Sequence, residues 1–294
     1  MQADQSSRTA EYMALFRALE GRLPAAQRLF VDPLARDFLS LPLRVAVDLA
    51  RIPGMAKLVC RFIDRRWPGV RSSAAARTRL IDDRVVAAVA GGAQQVVILG
   101  AGFDARAIRL AALGPCSVFE VDHPATQARK RRLLGTRAPA NVRFVPTDFA
   151  MGQLDAAIAA QGYDVERRSV VIWEGVTNYL TAGAVDETLR WCAKAAAGSE
   201  VIFTYIHEAA LRDPGAFFGT ARVLQALEAA GERWTFGFDP RRLAAYLRER
   251  GLELLEDIGA AEYRSLCYGP AATRMKGYEF YRVARARVDA DRAP

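Results

Sequence analysis

From about residue 72 to the end, the chain alternates short apolar runs with longer amphipathic stretches. This alternation predicts βαβ units, in which parallel strands are joined by crossover helices. The predicted strands are residues 96–99, 117–121, 142–145, 169–173, 201–206, 252–258 and 278–288. The predicted helices between them are residues 105–113, 124–134, 154–161, 184–197 and 241–250. We therefore predict an α/β fold built on a doubly wound, mostly parallel sheet of seven strands.

Residues 1–71 follow a different pattern, in which amphipathic helical stretches are separated by prolines and no strand-like run occurs. Because such a segment has no sheet of its own, we expect a helical cap packed on a core domain of residues 72–294. A second irregular stretch, residues 207–238, interrupts the alternation after the fifth strand and contains one predicted helix, residues 220–230. We expect this insertion to lie on the substrate side of the core domain.

The first predicted strand ends in a glycine turn that leads into a helix. Gly100 and Gly102 form a Gly-x-Gly pattern directly after the strand. Glycines here let the backbone approach a ligand closely, and ligands bind at the carboxyl edge of a parallel sheet. With Ala105, the same residues also satisfy the Gly-x-Gly-x-x-Ala form of dinucleotide-binding enzymes. The turn therefore predicts a nucleotide-like cofactor without excluding NAD.

Acidic residues stand at the ends of the next three strands. Asp122 follows the glycine turn by about twenty residues, the spacing at which an acid accepts from ribose hydroxyls. Asp148 suits an adenine amino group, with the Phe149 ring against the base, and Glu174 suits a ligand ammonium. Carboxylates at these places would repel the pyrophosphate of a dinucleotide. The order of acids favours a cationic, phosphate-free cofactor, and S-adenosylmethionine fits it better than NAD does.

Arginine supplies nearly all of the positive charge, since only four of the 41 cationic residues are lysine and the net charge is +8. A guanidinium binds carboxylate or phosphate in a two-pronged fashion. Arg77 and Arg79, just before the first strand, are the expected partners of the cofactor carboxylate. The one compact basic run, residues 129–132, is more typical of a solvated helix face than of a nucleic-acid site. We therefore expect a small-molecule substrate and no nucleic acid.

Composition narrows the class of protein further. With 294 residues, 51% of them hydrophobic and 25% charged, the chain is neither a disordered segment nor a fibre. No run approaches the ~18 apolar residues of a membrane span, and the polar start lacks a signal peptide's apolar stretch. The four cysteines are far apart and predict no zinc site. We expect a cytoplasmic protein with reduced thiols, no bound metal and no membrane partner.

Several of these stretches together resemble the leucine carboxyl methyltransferase family of class I S-adenosylmethionine-dependent methyltransferases. The closer resemblance is to a bacterial branch that includes the tetracenomycin polyketide carboxyl methyltransferase. The matching stretches are residues 77–83 (Arg-Thr-Arg-Leu-Ile-Asp-Asp), 96–106, 119–124, 147–149 and 173–180 (Trp-Glu-Gly-Val-Thr-Asn-Tyr-Leu). Residues 32–35 and 277–282 extend the similarity over nearly the whole chain.

The resemblance implies a Rossmann-like fold, S-adenosylmethionine as cofactor and a role for each matching residue. The roles are Arg77 to the cofactor carboxylate, Gly100 to its methionine portion, Asp122 to the ribose, Asp148 and Phe149 to the adenine, and Glu174 to the ammonium. The family commonly has Leu-Asp-Thr-Arg where residues 103–106 are Phe-Asp-Ala-Arg, and Asp-Leu where residues 148–149 are Asp-Phe. Both departures keep the polar atoms. Arg17 is the nearest match to a lysine of the N-terminal lid in eukaryotic members.

The methyl acceptor is predicted to be a carboxylate, because the family resemblance implies one and an ionised carboxylate needs no general base. The expected product is a methyl ester of a small or carrier-delivered natural-product acid. Tyr12, Arg17, Tyr205 and Trp234 are candidates to line the substrate pocket, with Arg17 a partner for the substrate carboxylate. The same four residues could instead pack the cap to the core.

Three alternatives stay open at this level. A phenol acceptor would profit from a general base, and His207 at the end of the fifth strand is the candidate, whereas His123 suits a helix start. A protein- or RNA-directed methyltransferase is the second, because eukaryotic relatives act on a protein C-terminus or on transfer RNA. An NAD enzyme is the third. The oligomeric state does not follow from the sequence.

Overall fold

The computed structural model of the protein describes residues 8–147 and 154–289. Its centre is one seven-stranded sheet with the order β3-β2-β1-β4-β5-β7-β6. The strands are β1 Gln95–Leu99, β2 Ser117–Asp122, β3 Val142–Pro146, β4 Ser169–Trp173, β5 Glu200–Ile206, β6 Leu252–Gly259 and β7 Tyr281–Val288. Strands β1 to β5 are parallel, and β7 runs antiparallel to both β5 and β6. The predicted α/β fold with a seven-stranded, mostly parallel sheet is confirmed.

Helices cover both faces of this sheet. The described helices are α1 Arg8–Glu20, α2 Leu41–Leu49, α3 Met55–Arg66, α4 Val70–Ala90, α5 Arg106–Arg109, α6 Pro124–Leu134, α7 Leu154–Ala159, α8 Ala182–Cys192, α9 Ala209–Arg212, α10 Thr220–Ala229, α11 Pro240–Arg248 and α12 Ala260–Tyr268. Strand β1 is buried throughout, with Val97 and Leu99 on one face against α7, α8 and α11. Val96 and Ile98 pack on the other face against α4 and α12. The alternation of strand side chains thus builds two cores on one sheet.

The N-terminal helices form a third apolar cluster that reaches the glycine turn. Leu15 and Leu19 of α1 are buried in this cluster together with Phe103. The Phe38 ring stacks on the Phe103 ring with centroids 4.9 Å apart. Helix α4 begins at Val70 and is continuous to Ala90, so the domain boundary predicted at residue 71 falls inside its first turn. The helical segment is therefore fixed against the carboxyl edge of the sheet.

Several predicted elements differ from the structure. The helix predicted to end at residue 197 ends at Cys192. Residues 105–113 form the short helix α5 and a separate 3₁₀ turn, Ala111–Leu113, because Leu110 is extended (φ −100°, ψ 102°) and Leu113 turns into the core. Strand β7 begins at Tyr281 rather than at residue 278. Tyr278 and Phe280 instead pack with Trp234 in an aromatic cluster beside residues 207–238. Among the described residues, no helix combines the length and apolarity needed to cross a membrane.

Candidate active site

The glycine turn has the backbone geometry that only glycine adopts without strain. Gly100 has φ +66° and Gly102 has φ +45°. A Cβ atom on Gly100 would overlap Cγ2 of Val176, whereas one on Gly102 would meet no atom closer than 3.8 Å. Gly100 is thus required by close packing with the loop after β4. The space beside Gly102 leaves its backbone accessible at the sheet edge.

Asp122, at the end of β2, faces this turn. Its carboxylate accepts hydrogen bonds from the backbone N–H of Gly102 and, at 2.6 Å, from that of His123. Burial raises the pKa of Asp122, although these two N–H donors oppose the rise. The Thr147 N–H donates to the Asp122 carbonyl at 3.0 Å, so the end of β3 lies beside it. Asp148 and Phe149, which follow, lie outside the described residues.

Arg77 and Glu174, which are 97 positions apart in the chain, form an ion pair at the same edge. Arg77 Nε donates to Glu174 Oε1 at 2.9 Å. The Arg77 guanidinium also lies over the Tyr281 ring, 4.6 Å from its centroid, and reaches Met13 Sδ at 3.4 Å. The two predicted cofactor residues are therefore adjacent, one from α4 and one from the end of β4.

Arg106 completes the pairing of Glu174 and was not among the predicted site residues. Its side chain is 3% exposed; Nη2 donates to Glu174 Oε2 at 2.8 Å and Nε to Asp82 Oδ1 at 2.8 Å. It also binds Asp104, while Arg109 binds Asp82. Burial alone would raise the pKa of Glu174, but Arg106 and Arg77 lower it to about 2. The edge thus holds an ionised, oriented carboxylate.

Signals for this network were present in the sequence. Asp82 lies in one of the family-like stretches, and Asp104 and Arg106 lie in another. What the sequence did not contain is the pairing, since Arg106 and Glu174 are 68 positions apart.

A second buried ion pair lies on β2, two residues before Asp122. Lys130 Nζ is 2.7 Å from Glu120 Oε2, and both side chains are almost fully buried. Burial raises the pKa of Glu120, and Lys130 opposes the rise. The interpretation of residues 129–132 as a solvated helix face is therefore wrong for Lys130. Arg131 and Arg132 of the same run are exposed.

Both histidines of the chain act as hydrogen-bond acceptors at helix starts. His207 Nδ1 accepts from the Ala209 N–H at 3.1 Å, and His123 Nδ1 accepts from the Ala125 N–H at 3.3 Å. In a neutral imidazole the other nitrogen, Nε2, then carries the proton. Burial lowers the pKa of His207, which keeps the ring neutral near pH 7. The nitrogen lone pair that a general base needs is occupied in both residues.

The four candidates for the substrate pocket have different surroundings. Tyr205 is fully buried, and its hydroxyl donates to Asp257 at 2.8 Å and accepts from Arg282 at 3.0 Å. Arg17 donates to Asp32 at 2.9 Å and to the Phe103 carbonyl at 2.6 Å. Tyr205 faces the core, because β5 alternates inward at that position, so the prediction that it lines a pocket is wrong. Arg17 ties α1 to the glycine turn, and its role as a substrate partner stays a prediction.

The other two candidates differ from each other in exposure. Tyr12 is 44% exposed on α1, and Trp234 is buried against Phe280 and Tyr281. Close by, Glu232 accepts from the Thr9 hydroxyl at 2.7 Å and from the Tyr179 hydroxyl at 3.1 Å. This contact joins α1, the loop after β4 and the insertion, and no motif of the sequence predicts it.

Among the described residues, no group of three or more His, Cys, Asp or Glu side chains is arranged to hold a metal ion. The cysteines are free thiols, three of them buried and Cys267 partly so.

Comparisons with known proteins find relatives that are named as methyltransferases. The model of the leucine carboxyl methyltransferase family matches residues 10–193. A provisionally named S-adenosyl-L-methionine-dependent methyltransferase of Frankia alni is 38% identical over 200 residues, which are 67% of each chain. One from Mycolicibacterium gilvum is 30% identical over 272 residues, 88% of this chain and 76% of the relative.

The fold has a counterpart among solved structures. The crystal structure of a provisionally named methyltransferase from Thermobifida fusca superposes with a TM-score of 0.59 at 16% identity, over 94% of both chains. That likeness concerns the class I methyltransferase fold. Taken with the family match and the relatives, it identifies the chain as a member of the leucine carboxyl methyltransferase family, an enzyme that uses S-adenosylmethionine.

Proposed function

We propose that the protein transfers a methyl group to a carboxylate oxygen of a small or carrier-delivered metabolite of the natural-product type, forming a methyl ester. One observation carries the choice of acceptor. Each of the two histidines uses Nδ1 to accept from a backbone N–H, so neither has a free lone pair for deprotonating a hydroxyl. An acceptor that is already ionised near pH 7 needs no such base, and a carboxylate meets that condition.

The residues at the sheet edge suit the amino-acid end of the cofactor. Arg77 and Glu174 form a cation–anion pair with a 2.9 Å contact, which is the complement of a carboxylate and an ammonium on one carbon. In our proposal Arg77 binds the cofactor carboxylate and Glu174 Oε1 accepts from the ammonium. Arg106 continues to hold Glu174 Oε2, so the carboxylate stays ionised and oriented.

In our proposal Asp122 accepts from the ribose hydroxyls of the cofactor. The two backbone N–H donors fix its carboxylate beside the Gly102 turn. Asp148 and Phe149 keep the adenine role that the family implies.

When bound, S-adenosylmethionine supplies an electrophilic methyl group on a sulfonium. The protein aligns the acceptor oxygen with that methyl group and excludes water, which is the main work of an enzyme in an in-line displacement. The Thr9–Glu232–Tyr179 contact closes α1 over the loop after β4, and so contributes to exclusion of water. Aromatic side chains of Tyr281 and Trp234 supply apolar surface on that side.

The test is the chemistry of the product. Purified enzyme is incubated with methyl-labelled cofactor and a panel of aromatic and aliphatic acids and phenols, and the product is treated with mild alkali. We expect an alkali-labile methyl ester, formed with similar turnover by the His207→Ala variant. An alkali-stable methyl ether whose formation is abolished in His207→Ala would instead establish the phenol alternative, with His207 as base.

A protein- or RNA-directed activity is distinguished in the same assay. Label transferred to a protein C-terminus or to transfer RNA, and to no small acid, would contradict the proposal.

A further inference from the structure

Helix α2 exposes a stripe of apolar side chains. Leu41, Val45 and Leu49 recur at four-residue spacing, which places them on one face of the helix, and they are 73%, 49% and 45% exposed. Val47, on the opposite face, is buried in the N-terminal cluster. The helix is therefore apolar both toward the protein and away from it. An amphipathic helix of a globular protein normally turns only polar residues outward.

Helix α3, which packs against α2, repeats this arrangement. Ala56, Cys60 and Ile63 are its buried face. Leu58 and Phe62 lie on the opposite side and are 57% and 69% exposed. Ile52, 53% exposed, lies in the turn that joins the two helices. We call the outward faces of the two helices, with this turn, the α2–α3 surface.

The remaining exposed positions of α3 are cationic. They are Lys57, Arg61, Arg65 and Arg66. In the part of the chain that the structure describes, none of these four forms an ion pair. Every exposed residue of α3 is thus either a large apolar side chain or an unpaired cation.

The acids on these helices are already neutralised. Asp48 of α2 pairs with Arg36 and Arg51, and Asp64 of α3 pairs with Arg71 at 2.7 Å. The α2–α3 surface therefore combines protruding apolar groups with uncompensated positive charge. Exposed apolar side chains that are rimmed by charge are typical of an interaction site.

Two of the occupants that could cover the surface fit it poorly. A second copy of the chain would bring the same four cations of α3 against their own kind. A partner helix binds in a groove, but the apolar side chains of this surface are 45–73% exposed and protrude from it.

An anionic bilayer fits both features. Leu, Ile and Phe side chains that protrude can enter the boundary between head groups and acyl chains, while Lys and Arg bind lipid phosphates. We propose that the α2–α3 surface docks the protein on an anionic lipid bilayer as a peripheral, non-spanning contact. Our expectation of no membrane partner concerns membrane-spanning segments, and it does not bear on a peripheral contact of this kind.

The docked surface belongs to the same helical segment that closes the site. Arg17 of α1 donates to the Phe103 carbonyl in the glycine turn, and Arg71 at the start of α4 binds Asp64 of α3. Helix α4 also carries Arg77, which pairs with Glu174. The α2–α3 surface is therefore connected through α4 to the cofactor edge, by which we mean the carboxyl ends of β1, β2 and β4 with Arg77, Asp122 and Glu174.

The test is co-sedimentation of the full chain with sucrose-loaded vesicles. One set contains equimolar phosphatidylglycerol and phosphatidylcholine, and the other contains phosphatidylcholine only. We expect binding to the first set, weakened by high salt, and little binding to the second. Leu58→Ser/Phe62→Ser and Arg61→Glu/Arg65→Glu should each lower the partition coefficient by about tenfold or more.

Matched controls keep the result specific. Leu266→Ser removes an apolar side chain that is 65% exposed on α12, and Arg242→Glu reverses an exposed charge on α11. Both should bind vesicles like the wild type. Circular dichroism and titration with S-adenosylhomocysteine verify that every variant is folded.

Three outcomes would overturn the proposal. They are no binding to the anionic vesicles, equal binding to both vesicle sets, and unchanged binding by the two double variants. A dimer seen by light scattering and lost in Leu58→Ser/Phe62→Ser would assign the surface to a second copy instead.

Discussion

The arginines of the cofactor edge and those of the α2–α3 surface are the same side chain in opposite surroundings. At the edge, Arg77 and Arg106 are buried and each shares Glu174. On the surface, Arg61 and Arg65 are exposed and have no acid partner among the described residues. A buried guanidinium needs a carboxylate to offset its desolvation, whereas an exposed one keeps its hydration. The comparison shows that charge composition does not reveal the role of an arginine until the burial of its side chain is known.

The largest expected difference between the two regions concerns stability. Arg106→Met removes the cation that Asp82, Asp104 and Glu174 share. Leaving buried carboxylates short of a partner should lower the free energy of unfolding by about 3–5 kcal/mol, as measured by urea denaturation. Arg66→Met, on the exposed face of α3, should change it by less than about 0.5 kcal/mol. Equal effects of the two substitutions would contradict the comparison.

The next largest effect concerns cofactor affinity, which should depend on the buried acid of the cofactor edge and not on an exposed acid elsewhere. Glu174→Gln removes the proposed acceptor for the ammonium and leaves Arg77 and Arg106 without their shared acid. Charged hydrogen bonds of this kind are worth about 1.5–3 kcal/mol, so titration with S-adenosylhomocysteine should show a Kd about tenfold to a hundredfold higher. Glu253→Gln breaks the exposed pair with Arg287 and should leave the Kd unchanged. An unaltered Kd in Glu174→Gln would remove Glu174 from the site.

The third prediction concerns the pH dependence of the free energy of unfolding, to which Glu174 at the cofactor edge contributes. The pKa of Glu174 is about 2 in the folded protein and near its ordinary 4.5 in the unfolded chain. Between these two pKa values the unfolded chain binds more protons than the folded protein. The contribution of ionised Glu174 to the free energy of unfolding is therefore complete above about pH 4.5 and is lost as the pH falls toward 2. From pH 5 to pH 3, wild type should lose about 2 kcal/mol more than Glu174→Gln. Parallel curves for the two proteins would contradict this.

A smaller effect is expected at the glycine turn. Gly100→Ala places a Cβ atom against Val176 and forces alanine into a left-handed conformation, at a cost of about 1–2 kcal/mol. Gly102→Ala has the positive φ without the overlap and should cost less. Adding Val176→Ala to Gly100→Ala should recover part of the lost free energy of unfolding. Adding it to Gly102→Ala should recover none. Denaturation curves of these variants distinguish overlap from strain.

The smallest effect belongs to the α2–α3 surface. Phe62→Ser removes a ring that is 69% exposed, so the free energy of unfolding should change by less than about 0.5 kcal/mol. A loss of several kcal/mol would mean that this ring is packed in the native protein. The vesicle experiment could then not be read as a surface effect.

Much of the site could be predicted because its residues follow the ends of strands. Asp122 and Glu174 stand directly at the ends of β2 and β4, and parallel strands bring their carboxyl ends to one edge. Tyr205 shows the limit of that reasoning. It lies near the end of β5, yet strand alternation turns its side chain into the core beside Phe203 and Phe238.

His207 shows a second limit. The sequence predicts its position after β5. Whether Nδ1 accepts a hydrogen bond depends on the direction of the Ala209 N–H. That direction is a property of the turn and not of the residue.

The sequence by itself determined the alternation of strands and helices, the glycine turn and the order of acids along the chain. These depend on local periodicity, on backbone freedom at glycine and on the fixed direction of parallel strands. Only the tertiary structure decided which cation binds which acid, as with Arg106 and Glu174, and which arginines stay exposed. The reason is that a hydrogen-bonded ion pair needs its atoms about 3 Å apart and is strongest where water is excluded, and tertiary packing sets both conditions.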